Sequence, residues 1–192
     1  MPDEPDARPA PDEPLDRAHR ERTFAWLDPR WILREDDALI AIDKPAGVPA
    51  QEAREGAEDD LPTRVARFLA ERDGGEPYVG VHQRLDKETS GVVLYARSRE
   101  ANPALARQLE ARSVEKTYVA GVERWSRRGE VTLRDALAPG DAGRVTITTA
   151  DDRRGKLAIT HARELERGAG GRALLEVRIE TGRTHQIRAQ LA

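Results

Sequence analysis

A chain of 192 residues is long enough for one domain of ordinary size, able to bury about 70% of the surface its unfolded form exposes. Hydrophobic residues make up 38% and charged residues 35%, against roughly 25% charged in an average soluble domain, and no apolar run reaches bilayer length, which excludes a helical membrane protein. The absence of cysteine excludes a disulfide framework, thiol catalysis and cysteine-ligated zinc, and the histidines His19, His82, His161 and His185 make no His-x-x-x-His pair, so no metal site is expected.

The opening MPDEPDARPAPDEP has neither a basic nor an apolar signal region, which predicts a cytoplasmic protein. Five prolines fall among its first 14 residues, interleaved with Asp and Glu. Such a segment buries too little apolar surface to offset its ordering entropy, and residues 1 to about 22 are expected to be disordered. An acidic, proline-rich segment 1–29 is thereby set apart from a folded domain 30–192. The net charge of −3 conceals an asymmetry: residues 1–60 hold 17 acidic and 8 basic side chains (net −9), and residues 61–192 hold 18 and 24 (net +6). Of the basic residues 28 are arginines, whose planar forks suit phosphates and base edges, although genomic composition bias gives the same excess.

In chain order, ordered structure is expected from Trp26 to Leu33, and Leu39–Asp43 reads as an apolar strand ended by the turn Lys44-Pro45-Ala46-Gly47. A polar loop follows from Gln51 to Asp60. Leu61, Val65, Phe68 and Leu69 recur at helical spacing, predicting a helix over 61–71 that Asp73-Gly74-Gly75 stops. Val79–Val81 and Gly91–Ala96 read as buried strands around a polar loop, and Ser98 as the N-cap of a helix to about Ala111, with Pro103 an irregularity near its first turn. Strands are predicted over 114–122, 131–137, 144–149, 156–165 and 172–180, and a helix carrying Arg183, Ile187, Arg188 and Leu191 at the end. The order predicts an α+β domain: a mixed, largely antiparallel sheet with flanking helices.

Two clusters carry chemistry. His82-Gln83-Arg84-Leu85-Asp86-Lys87-Glu88-Thr89-Ser90-Gly91 sets an acid among hydrogen-bonding groups in a loop between strands. Asp86 has the character of a nucleophilic or basic carboxylate, with Arg84 two residues away and Thr89 and Ser90 able to hold its oxygens. The same residues also make ordinary turns, and spacing leaves both readings open. Thr181-Gly182-Arg183-Thr184-His185-Gln186-Ile187-Arg188 follows a strand and opens a helix, where a cation such as Arg183 opposes the helix dipole and calls for a partner, such as a buried acid. A plain surface arginine is the alternative.

Together these clusters resemble the RluA-type family of pseudouridine synthases. ILREDDALIAIDKPAG (32–47) is similar to the family's opening strand and Lys-Pro-x-Gly turn, and RLDKETSGVVLYAR (84–97) to its catalytic signature. Lys116-Thr117-Tyr118-Val119-Ala120, Gly155-Lys156-Leu157-Ala158-Ile159-Thr160 and TGRTHQIR (181–188) follow in the family's order. The chain departs from the pattern in three places. Gln83 stands where the family commonly has histidine, with His82 one place earlier; the acidic front does not resemble the small RNA-binding domain of some members; and the family usually continues through a glycine-rich segment and closing strands beyond the stretch that TGRTHQIR resembles. The resemblance therefore implies a pseudouridine synthase catalytic fold with an RNA-binding cleft, C-terminally incomplete unless the shortening is compensated by repacking, and a chain that self-associates or is marginally stable.

The function that the resemblance implies is isomerisation of uridines in ribosomal or transfer RNA to pseudouridine, without a cofactor. A carboxylate, here Asp86, attacks the sugar carbon or draws a ribose proton to leave a glycal, and both routes stay open. Tyr118 stacks on the uracil and can relay a proton, and Arg183 keeps Asp86 ionised. Arg84 fills the gap left by the extruded base, and Thr89, Lys116 and Arg188 contact the RNA. A noncatalytic RNA-binding protein derived from the same fold is the second reading. A sugar-cleaving hydrolase needs a second carboxylate across the scissile bond, which the spacing does not supply.

Overall fold

The computed structural model describes residues 26–51, 60–149 and 151–192. The expected disorder of residues 1–22 and most of the loop between Gln51 and Asp60 lie outside the described residues. The chain divides between Leu105 and Ala106 into two compact units.

The first unit is built on β1 (Ile32–Glu35), β2 (Leu39–Lys44), α1 (Leu61–Asp73), β3 (Gly80–Val81) and β4 (Gly91–Ala96). Its strands pair antiparallel in the order β1-β2-β4-β3. Alternation sets Ile40 opposite Tyr95 and Ile42 opposite Val93, and these four form one buried cluster with Leu61, Val65 and Leu69 of α1. Each such apolar side chain contributes roughly 1.5–3 kcal/mol on burial. The helix starts where Asp60 Oδ1 accepts from Thr63 N at 2.8 Å, carries Pro62 in its first turn, and stops at Gly74, whose φ of 76° a side chain would oppose.

Ser98 does cap a turn, its Oγ accepting from Ala101 N at 3.1 Å, but α2 runs only over Asn102–Glu110. Asn102 N still bonds Ser98 O at 3.1 Å; Pro103, next in line, has no N–H to continue that ladder. The helix therefore begins later than the cap predicts.

The second unit is a five-stranded antiparallel sheet of β5 (Lys116–Val122), β6 (Glu130–Pro139), β7 (Val145–Thr148), β8 (Lys156–Arg167) and β9 (Ala173–Ile179), in the order β5-β9-β8-β6-β7, followed by α3 (Gln186–Gln190). One face gathers Ala162, Ala173, Leu175 and Val177 with Trp125, and Tyr118, Ile187 and Leu191 pack against them. Ile187 and Leu191, four apart, face the core as their spacing predicts. The architecture is α+β, and two expectations change in detail. The described strands form two wholly antiparallel sheets instead of one mixed sheet, and α3 begins at Gln186, so Arg183 precedes the helix and does not open it.

Candidate active site

The loop between β3 and β4 presents Arg84, Asp86 and Thr89. Asp86 is half-buried and opens a tight turn in which Thr89 N bonds its carbonyl at 3.0 Å. Leu85 packs against the unit's core and anchors the loop from below, while Arg84 is exposed.

The turn Lys44-Pro45-Ala46-Gly47 fixes that loop. Lys44 is fully buried, and its Nζ donates to three carbonyl oxygens: Pro45 at 2.9 Å, Val48 at 2.8 Å and Lys87 at 2.9 Å. Gly47 N donates to the same Lys87 oxygen at 2.8 Å. Gly47 holds φ 88°, a conformation that disfavours a side chain and brings its N–H onto the neighbouring loop. The residue directly after Asp86 is thus held by two donors from one turn. Burial pushes the Lys44 ammonium down to about 8, while the charges of Glu88 and Asp86 pull the other way.

In the second unit Lys116 and Tyr118 share a face of β5, with Tyr118 opposite Val177. The tyrosine ring packs on the unit's core, so packing and a role at a substrate are compatible. Arg183 lies in the segment between β9 and α3, and its Nε donates to Leu157 O on β8 at 3.0 Å. Arg188 is an exposed residue of α3.

Sequence reasoning missed the buried network that sets this segment. Gln186 Nε2 donates to Ile159 O at 3.1 Å and to Thr160 Oγ1 at 2.8 Å. Its Oε1 accepts from Thr181 Oγ1 at 2.8 Å and from Arg183 N at 3.0 Å. All four positions of the amide are used. Thr181 Oγ1 also accepts from Ile159 N at 2.9 Å, and Thr160 Oγ1 donates to Gln190 Oε1 at 2.6 Å, whose Nε2 reaches Asp135 Oδ2 at 2.6 Å. The signal available in the sequence was the concentration of Thr and Gln on and beside buried strand positions, where polar side chains persist only if bonded.

The candidate residues thus form two sets: Lys44, Arg84, Asp86 and Thr89 on the first unit, and Lys116, Tyr118, Arg183 and Arg188 on the second. Among the described residues no group of three or more His, Asp or Glu side chains could hold a metal ion.

Residues 38–192 match the family model described as RNA pseudouridylate synthase. The chain belongs to that family, in its RluA-type branch. It is 40% identical over 164 residues to ribosomal large subunit pseudouridine synthase D of Xanthomonas campestris pv. campestris, covering 84% of this chain and 47% of the relative. With the protein of the same name from Zymomonas mobilis it shares 33% over 194 residues, 99% of this chain and 57% of the relative. The chain spans about half the length of these curated relatives. Human RNA pseudouridylate synthase domain containing 4 has the same fold, with a TM-score of 0.69 at 24% identity over 84% of this chain and 63% of that one.

Proposed function

We propose that this chain isomerises uridine to pseudouridine within RNA in the cytoplasm, with large-subunit ribosomal RNA, the molecule named for its relatives, as substrate in preference to transfer RNA. The observation that supports this most is the Asp86 turn. A half-buried carboxylate sits one residue before a carbonyl pinned by Lys44 and Gly47, in a chain that matches the family from residue 38 onward. A preorganised carboxylate is what cleavage of the base from its ribose carbon requires, as nucleophile or as base.

In this reading Asp86 does the chemistry, and Tyr118 offers its ring to the uracil and its hydroxyl to the proton leaving the new bonding carbon. Arg183 supplies positive charge. The exposed Arg84 guanidinium stacks into the gap left by the flipped base, whose extrusion costs a few kcal/mol. Thr89, Lys116 and Arg188 contact the RNA, and no cofactor takes part. Transcribed large-subunit ribosomal RNA and transfer RNA are incubated with the protein and with Asp86→Asn, and pseudouridines are mapped by carbodiimide adducts and primer extension. New pseudouridine with the wild type alone is expected. None in either RNA, with RNA binding intact, overturns the reading in favour of a noncatalytic binder.

A further inference from the structure

A cavity of about 620 Å³ lies wholly within the second unit, where the ends of β5 and β9 meet the link from α2. Four cationic side chains line it: Arg112, Lys116, Arg178 and Arg183. Three acids line it as well, Glu110, Glu115 and Glu180, and two of them are answered. Glu180 Oε1 is bonded to His161 Nε2 at 2.6 Å, and Glu115 lies 3.8 Å from Arg178. Among the described residues neither Arg112 nor Lys116 makes an ion pair or a side-chain hydrogen bond.

Gly182 forms part of the wall. A β-carbon on Gly182 would stand 3.9 Å from Lys116 Nζ, so the ammonium sits over bare main chain and a ligand can approach both. Arg112 holds φ 56° just past the end of α2, a position that ordinarily goes to Gly or Asn, and Arg112 N still bonds Leu109 O at 3.3 Å. A concave, mostly polar site with two uncommitted cations suits an anion with hydrogen-bonding oxygens more than an apolar ligand.

We propose that this cavity is a subsite for a backbone phosphate of the RNA, held by Arg112 and Lys116, with room for the attached sugar. The inference rests on the proposed function for its ligand, and Arg112 is the residue it adds. Neutralising one phosphate contributes roughly 0.7–0.9 to the salt slope of binding.

The test compares wild type, Arg112→Gln and Arg107→Gln in the full chain, with Arg107 an exposed arginine of α2 outside the cavity. Dissociation constants for transcribed large-subunit ribosomal RNA are measured from 50 to 200 mM salt, with thermal melts to verify folding. Arg112→Gln should bind more weakly at 50 mM, and its affinity should fall about threefold less across that range than that of the wild type. Arg107→Gln should match the wild type. An unchanged slope in Arg112→Gln, or an equal loss in Arg107→Gln, overturns the subsite. Pseudouridine formation by the wild type is scored separately. A wild type that binds but does not isomerise refutes the enzyme reading and leaves the subsite standing; one that does not bind RNA refutes both.

Discussion

Lys44 directs all three of its ammonium hydrogens at carbonyl oxygens, one of them belonging to the residue after Asp86. Its charge is therefore a positioning device for the loop. A neutral amine has two hydrogens for three acceptors, so the hold on Lys87 weakens as pH rises through about 8. Turnover of the wild type should fall above that pH, while Lys44→Met should be slow throughout and lack this alkaline limb; a limb that persists in Lys44→Met assigns it to another group. Stability moves the other way. The folded pKa lies below the ordinary 10.5, so between about 8 and 10.5 the unfolded chain holds the proton more tightly. The stability of the wild type relative to Lys44→Met should rise by a few kcal/mol across that window, which denaturant melts at pH 7.5 and 10 would measure. Asp86→Asn is the chemical counterpart: the amide keeps the shape of the turn but not the nucleophile or base. It should leave RNA affinity within a few-fold and lower turnover by more than about a hundredfold, and a smaller loss removes Asp86 from the chemistry.

The elements that carry these residues were largely legible in the sequence. Strands β2 and β4 announce themselves by apolar runs ended by turn residues, and α1 by its Leu61, Val65, Leu69 spacing, because one-sided burial imposes a period that composition records. Three things were not legible. Arg64 is only 1% exposed although it is a cation on the same helix, since periodicity marks apolar positions and says nothing of a buried charge. The start of α2 turned on one missing N–H at Pro103. The segment after β9 owes its shape to the four bonds of Gln186, and side-chain networks of that kind have no period. Gln186→Leu should therefore cost more than a surface change, about 1–3 kcal/mol, because it leaves Arg183 N and the Thr181 hydroxyl hydrogen without their acceptor. It should also lower kcat by releasing the Arg183 segment. Gln186→Glu keeps an acceptor for Thr181 and Arg183 N but turns a buried carboxylate oxygen toward Ile159 O, so it should cost at least as much stability as Leu while retaining more of kcat. Loss of stability with kcat unchanged would confine Gln186 to a structural role.

Over the whole molecule, charge is divided along the chain: net −9 in residues 1–60 and net +6 in residues 61–192. The basic part carries the Arg112 and Lys116 cavity and all of the second unit, so a polyanion is attracted there and repelled by the acidic front. Deleting residues 1–22 removes Asp3, Glu4, Asp6, Asp12, Glu13, Asp16 and Glu21 against Arg8, Arg17, Arg20 and Arg22, a change of +3. None of the candidate site residues is lost. The deletion should tighten RNA binding at 50 mM salt, where the screening length exceeds about 10 Å, and have little effect at 500 mM, where it falls to a few ångströms. The gain should appear equally for RNA that is modified and RNA that is not, because repulsion at a distance reads no sequence. Saturating turnover should be unchanged, since every proposed site residue lies outside the deleted segment. Binding isotherms for both RNAs at the two salt concentrations decide the matter. Equal affinity with and without residues 1–22 at 50 mM means the segment's charge is not felt by the RNA, and a gain restricted to the modified RNA means the segment touches the site itself.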